Sequence, residues 1–194
     1  MNLTQMNPLY FQEETLQQLK ESFAQSNPQI LHLPHFLTMS CCESLLKEAQ
    51  KSQGIHKRIA DRYARTEISS FKETSFIQSL EFLHWLSLIT SKKLKKVTLK
   101  THQFAHKDYV LIHDSETIRK QLEFFILLMP HWDNHCGGHT VYVAQEQEPL
   151  VFPLEGNSFS IINKEKDRHK FIQYVNHYAG KEKLTIIEGV AEQD

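Results

Sequence analysis

The sequence predicts an α+β fold, with helices first and a β-sandwich or jelly roll in the second half. Three observations carry this prediction. Apolar residues recur at helical spacing before residue 90, strand-like runs follow one another closely after about residue 97, and glycine or proline separates those runs. Helices followed by many short, closely spaced strands are typical of an α+β protein whose strands form a sandwich or jelly roll.

The first predicted helix covers residues 11–25, where Leu16, Leu19 and Phe23 fall on one face. The dipeptide Asn27-Pro28 ends this helix, because proline restricts the residue before it to extended conformations. The next stretch, "QILHLPHFL", alternates apolar and polar residues and is predicted to be a strand.

Two more helices are predicted before the strands begin. Ser40 is followed three positions later by Glu43, which is a capping-box signature and predicts a helix that runs to about Gln50. The basic stretch "HKRIADRYAR" is predicted to be a loop or an edge strand. A buried helix follows, since apolar residues keep helical spacing at Phe76, Ile77, Leu80, Leu83, Leu86 and Ile89.

The strand-rich part is predicted to form the core of the protein. The predicted strands are residues 97–104, 108–113, 121–129, 139–144, 149–154, 158–163, 170–175 and 183–189. No break in the pattern demands a second unit, so one domain is expected over residues 1–194. Its helical support would cover about residues 11–90 and its jelly-roll core about residues 97–189.

Composition narrows the class of protein. Hydrophobic residues make up 40% and charged residues 23% of the chain, and the net charge is −1, so we expect neither a nucleic-acid partner nor a membrane partner. Three cysteines without a CxxC pair and the lack of a signal-peptide pattern favour a cytoplasmic location. Glycine-rich phosphate loops and a Gly-x-Ser-x-Gly elbow are also missing from the sequence, while the oligomeric state stays open.

The functional signal lies in the stretch "DYVLIHDSETIRKQLEFFILLMPHWDNHCGGHTVYV", residues 108–143. A strand ends at His113, an acidic segment and a long apolar strand follow, and "PHWD" and Gly-Gly precede another strand. With "HFLTMSCCESLLKEA", "ADRYARTEISSF" and "FLHWLSLIT", it resembles the 2-oxoglutarate/iron(II) oxygenases. Within that superfamily it is similar to the prolyl-hydroxylase-like group that acts on a ribosomal-protein proline, over about residues 35–189.

This resemblance implies a double-stranded β-helix, a jelly roll with helices packed on one sheet. It also implies an oxygenase that uses Fe(II), with 2-oxoglutarate as co-substrate, to hydroxylate a prolyl residue or another peptide, protein or amino-acid substrate. In such enzymes two histidines and one carboxylate hold the iron and leave positions open for the co-substrate and oxygen.

The resemblance assigns candidate metal ligands. His113 matches the first histidine of the family pattern, and His169 in "DRHKFIQYV" matches the distal histidine, with His177 as the alternative. The family carries a carboxylate two residues after the first histidine. Here that position is Ser115, and Asp114 is the candidate metal ligand in its place.

Candidate co-substrate ligands also follow from the resemblance. Lys183 stands where near relatives carry an arginine that pairs with the distal carboxylate of 2-oxoglutarate, and Lys181 is the alternative. Tyr109 could donate its hydroxyl to the same carboxylate or serve only as a strand aromatic.

The serine leaves three explanations open. A neighbouring acid, Asp114 or Glu116, supplies the ligand if the strand is bulged. Alternatively, the ligand position is vacant, as in related halogenases, or the chain is a pseudoenzyme that binds a peptide without turnover. A literal His-x-Asp exists at His106 and Asp108, but choosing it shifts the register against "PHWD".

Overall fold

The computed structural model describes residues 3–69, 71–112, 121–129 and 132–193. The helices are α1 (Glu13–Gln25), α2 (Met39–Lys51) and α3 (Leu80–Thr90). The strands are β1 (Ile30–Leu33), β2 (Ile55–Ile59), β3 (Tyr63–Ile68), β4 (Leu94–Phe104), β5 (Tyr109–Val110), β6 (Gln121–Leu128), β7 (Thr140–Val143), β8 (Leu150–Val151), β9 (Ser158–Lys164), β10 (His169–Ile172) and β11 (Leu184–Gln193).

These strands form an antiparallel sheet with the order β1-β9-β6-β11-β4-β3-β5-β10-β7-β8, and β2 pairs with β3. The sheet curls over on itself, because one apolar cluster joins residues from both ends of the order, including Ile30 of β1 and Tyr142 of β7. We call β1, β9, β6, β11 and β4 the major sheet and β5, β10, β7 and β8 the minor sheet. The predicted jelly roll with helices on one sheet is confirmed.

Side-chain alternation divides the major sheet into two faces. On β11, Leu184 and Ile186 belong to the cluster between the two sheets, while Ile187 belongs to the cluster under the helices. This is the period of two that every regular strand shows. The face that points between the sheets is called the inner face below, and it is where a ligand inside the barrel would lie.

Aromatic rings fix the helices against the major sheet. Phe159 lies with its ring centroid 4.6 Å from Phe36 and 5.3 Å from Phe124, in stacked geometry. Trp85 of α3 meets Phe159 edge-on at 5.7 Å, and its indole nitrogen donates to the backbone oxygen of Tyr10 at 2.9 Å. The buried tryptophan therefore has its one donor satisfied while its ring fills the helix–sheet interface.

Two helix boundaries differ from the sequence prediction. α2 begins at Met39 with Thr38 as its N-cap, so Ser40 lies inside the first turn and the predicted capping box does not start the helix. The third predicted helix is divided by Ser79, whose hydroxyl accepts from the backbone nitrogen of Phe82 and starts α3. The preceding residues form a 3₁₀ helix. An N-cap residue has an extended backbone, so Ser79 separates this 3₁₀ helix from α3.

Gly189 on β11 gives a direct test of the sheet packing. A Cβ atom built at this glycine would lie 2.0 Å from Cζ of Phe124, so Gly189→Ala should force the ring out of place. Overpacking of this kind costs about 1–3 kcal/mol, which urea denaturation can measure. Adding Phe124→Leu should recover part of the loss, whereas a Gly189→Ala protein as stable as the parent would contradict the described packing.

Candidate functional site

Tyr109 lies on β5 next to Val110, which belongs to the apolar cluster inside the barrel. Because adjacent residues of a strand point to opposite faces, Tyr109 points away from that cluster. Its backbone pairs with Ala64 of β3, and its side chain is half-buried. The structure therefore does not place the Tyr109 hydroxyl on the inner face.

Of the candidate metal ligands, the structure describes only His169. His113, Asp114 and the critical Ser115 lie outside the described residues. His169 begins β10 and pairs with Val143 of β7. Ile172 belongs to the inner apolar cluster, so the alternation of β10 puts His169 on the opposite face.

The alternative histidine and the alternative His-x-Asp also have defined places. His177 is exposed in a 3₁₀ turn, with its ring centroid 4.2 Å from that of Tyr178. Asp108 is buried, and its carboxylate accepts from the backbone nitrogen of Ala105 at 2.9 Å and from the His56 ring at 3.0 Å. These bonds hold the turn that leads into β5, which is a structural task for Asp108.

Lys183 lies immediately before β11 and is exposed. It lines a cavity of about 280 Å³ together with Gln103, Thr185 and the side of α2, and Lys181 lines the same cavity. This cavity is on the helix side of the major sheet. Lys183 does not point into the barrel, because Leu184 takes the inward position at the start of β11.

Instead, charged side chains from four strands meet on the inner face. We call Glu123, Lys164, Lys170 and Glu188 the inner network. Lys164 Nζ lies 3.4 Å from Glu123, and Lys170 Nζ lies 3.6 Å from Glu123 and 3.4 Å from Glu188. The Tyr142 hydroxyl donates to the Glu123 carboxylate at 2.8 Å. Only 1% of Lys164 and 4% of Glu123 are exposed.

The electrostatics of the inner network keep its acids ionised. Burial raises the pKa of Glu123, but the ammonium groups of Lys170 and Lys164 outweigh this effect and lower the pKa to about 2. The pKa of Glu188 is likewise lowered, since Lys170 overcomes the effect of burial. An ionised carboxylate inside the barrel is stable only because cations lie beside it.

On the inner face of the described strands, no lysine is left to pair with the distal carboxylate of 2-oxoglutarate in the way that the family pattern implies. Lys164 and Lys170 point into the barrel, and each already contacts a protein carboxylate. Phe104, Leu184 and Ile186 belong to the apolar cluster inside the barrel. Within the described ranges, no three histidine, cysteine or acidic side chains are arranged to hold a metal ion. A metal centre would therefore need the segment that contains His113.

Sequence reasoning missed the inner network, although one signal for it was present. In "QLEFFILL" the acid Glu123 shares the alternation of Phe125 and Leu127, which makes it a charge on a buried face. A buried charge requires a partner of opposite sign. The partners Lys164 and Lys170 come from later strands, and only the fold shows which lysines reach the acid.

Among the described residues, no helix combines the length and apolar character that crossing a lipid bilayer requires.

The chain resembles known proteins in sequence and in fold. It is 26% identical to prolyl 3-hydroxylase OGFOD1 of Xenopus laevis over 91 residues, which cover 44% of this chain and 18% of the frog protein. It superposes on a Pseudomonas putida prolyl-4-hydroxylase with a TM-score of 0.69 and 10% identity, covering 92% of this chain and 99% of the other.

A second solved structure has a similar fold. It is a Trichoplax adhaerens prolyl hydroxylase in complex with a peptide fragment of the hypoxia inducible factor oxygen degradation domain. The TM-score is 0.66 at 12% identity, with 93% of each chain covered. At such identities the two superpositions show the oxygenase fold.

The family follows from the match that covers most of the chain. A family model described as "Oxoglutarate and iron-dependent oxygenase degradation C-term" matches residues 46–190. This range contains α3, the minor sheet and the major sheet apart from β1 and the last residues of β11. The chain therefore belongs to the oxoglutarate and iron-dependent oxygenase degradation C-terminal family.

Proposed function

We propose that this chain, as one domain over residues 1–194, is an iron(II)- and 2-oxoglutarate-dependent oxygenase that hydroxylates a prolyl or other residue of a peptide or protein substrate. The observation that carries the proposal is the family match over residues 46–190, which lies on a double-stranded β-helix. The similarity to a prolyl 3-hydroxylase and the fold shared with prolyl hydroxylases support the substrate class.

The proposed metal ligands are His113 and His169, with Asp114 as the carboxylate. The proposed co-substrate contacts are Lys183 and Tyr109. His113 follows β5 by three residues, and β5 pairs with β10, the strand that His169 begins. This strand pairing supports a site that combines the end of β5 with the start of β10. Since His169 and Tyr109 face outward, the proposed site would form outside the apolar interior of the barrel.

A specific observation favours a second candidate function, a peptide-binding protein on an oxygenase scaffold that performs no turnover. The inner network places protein carboxylates against both lysines inside the barrel. Ser115 also favours a protein without turnover, because its hydroxyl is a poor iron ligand at a position where the family has a carboxylate. In this alternative the barrel is a rigid scaffold, and a peptide binds to its surface.

Restoring the family carboxylate with Ser115→Asp separates the two candidates. Iron affinity and 2-oxoglutarate consumption should both rise. Affinity should rise by more than the roughly 10–100-fold that an outer partner of a metal ligand contributes, because the introduced carboxylate would bind the metal directly. Titration with Fe(II) under anaerobic conditions measures affinity, and succinate formation measures turnover.

Matched variants assign the ligands. His113→Ala should abolish iron binding, and the exposed His135→Ala serves as the control that leaves it unchanged. If Asp114→Ala or Glu116→Ala abolishes binding while Ser115→Asp changes nothing, a neighbouring acid is the ligand. Absence of iron and 2-oxoglutarate binding in every variant would reject the oxygenase and leave the peptide-binding protein.

A further inference from the structure

Three loops, which precede β5, β7 and β11, form one end of the barrel. In the chain, His113 comes after β5 and His169 comes at the start of β10, whereas these loops precede β5 and follow β10. The three loops are therefore at the end of these strands away from the proposed metal ligands. We call residues 174–180, in the loop before β11, the tyrosine loop.

The tyrosine loop exposes aromatic surface. Tyr174 and Tyr178 are 50% and 69% exposed, more than any other described phenylalanine, tryptophan or tyrosine. An exposed histidine lies beside each ring: the ring centroid of Tyr178 is 4.2 Å from that of His177, and Tyr174 meets His106 edge-on at 6.5 Å. Isolated apolar side chains on a surface are ordinary, but tyrosines grouped on one surface are typical of binding interfaces.

Hydrogen bonds fix the tyrosine loop to both neighbouring loops. The backbone nitrogen of Lys107 donates to the Val175 oxygen at 2.8 Å, and that of Asn176 donates to the Cys136 oxygen at 2.9 Å. The Asn176 side chain also accepts from the backbone nitrogen of Tyr178 at 2.9 Å. Val175 is completely buried and anchors the loop to the barrel. A surface that is held in place before binding loses little conformational entropy when a partner docks.

The same bonds use up acceptors of the loop. Four of its backbone carbonyls accept from backbone nitrogens of nearby residues: those of Val175, Asn176, His177 and Ala179. Each exposed tyrosine still has a hydroxyl that can donate. A fitting partner therefore has many acceptors and few donors. A proline-rich segment has this character, because proline lacks the N–H and the carbonyls of a polyproline II helix make no internal hydrogen bonds.

Charge disfavours a polyanionic partner. The described residues of the three loops expose three lysines and two acids: Lys107, Lys181, Lys183, Asp133 and Glu182. Binding of a single-stranded nucleic acid combines stacking rings with a positively charged groove, and this nearly balanced set of charges does not provide one. Proline side chains carry no charge, and proline-rich segments dock on surfaces lined by aromatic rings.

We propose that the tyrosine loop is a docking surface for a proline-rich segment of a partner protein in the polyproline II conformation. Its proline rings pack on Tyr174 and Tyr178, and its carbonyls accept from the two tyrosine hydroxyls. This inference goes beyond the proposed oxygenase, because neither tyrosine is a candidate ligand of iron or 2-oxoglutarate. Its test therefore uses metal-free protein and does not depend on turnover.

Decaproline with blocked ends is the probe, because it forms a polyproline II helix in water. Added to the full chain, it should cause saturable shifts in the ring ¹H–¹³C resonances of Tyr174 and Tyr178. Tyr174→Phe and Tyr178→Phe assign those resonances. A flexible glycine–serine peptide of equal length should cause no saturable shift. Oligothymidylate of equal length is the probe for a nucleic acid and should bind more weakly than decaproline.

Tyr178→Ala removes a ring on which proline packs, so the Kd for decaproline should rise by about tenfold or more. Met39→Ala is the matched control, because Met39 is 67% exposed at the start of α2 and should leave the Kd unchanged. Far-ultraviolet circular dichroism confirms that each variant folds. The proposal is overturned if decaproline causes no saturable shift, if oligothymidylate binds more tightly, or if Tyr178→Ala and Met39→Ala have equal affinity.

Discussion

Glu123→Gln should destabilise the protein by about 3–5 kcal/mol at pH 7, because it removes a negative partner of Lys164, which is 1% exposed. Glutamine preserves the shape of the side chain, so the loss reports charge and not a cavity. Lys164 would remain beside a neutral amide, and the hydrogen bond from the Tyr142 hydroxyl would lose its charged acceptor. Urea denaturation measures the free energy of unfolding.

The destabilisation by Glu123→Gln should depend on pH. The pKa of Glu123 is lowered from 4.5 to about 2, so the folded state favours the ionised form. The resulting stability is fully present above pH 4.5 and is lost as the pH falls through about 2. The parent and Glu123→Gln should therefore converge in acid. The exposed Glu192→Gln on the same sheet should change stability by less than about 0.5 kcal/mol. Equal effects of the two substitutions would show that the inner network contributes nothing.

Phe159→Ala should cost about 3–5 kcal/mol through a different mechanism. The ring is completely buried and lies between Phe36 and Phe124, so its removal leaves a cavity between the helices and the major sheet. The lost contacts include the edge-on approach of Trp85. The midpoint of thermal unfolding and the urea-derived free energy should both fall.

Two comparisons make the Phe159 result specific. Phe159→Leu should lose less than Phe159→Ala, because leucine fills most of the space. Tyr174→Ala removes a ring that is 50% exposed and should have a small effect. A Phe159→Ala protein that unfolds at the parental urea concentration would contradict the described core.

The sequence predicted the fold because its signals are local and repeated. Helical spacing identified the region of α1 and α3, and the separated apolar runs identified the strands of the barrel. These patterns survive shifts of a few residues at each boundary. The start of α2 at Met39 shows the size of such a shift, since it precedes the predicted cap at Ser40 by one residue.

The candidate site is harder to predict from the sequence than the fold, because a site depends on the face to which each side chain points. A displacement of one residue along a strand reverses that face. His169 and Lys183 illustrate the point: each lies one residue from an inward-facing neighbour, Lys170 and Leu184 respectively. The roles of His113 and Asp114 stay predictions, because both residues lie outside the described part of the chain.

The strand order has a consequence for how the chain reaches its native state. Among the described strands, β1 pairs with β9 alone, where Ile30 lies opposite Ile162. β4 likewise pairs with the distant β11, in which Leu184 lies opposite Phe104. Contacts between such distant segments slow folding, because a large loop must close before they form. On the ribosome, β1 must therefore stay unpaired until β9 has emerged, and its unpaired backbone is open to aggregation during this interval.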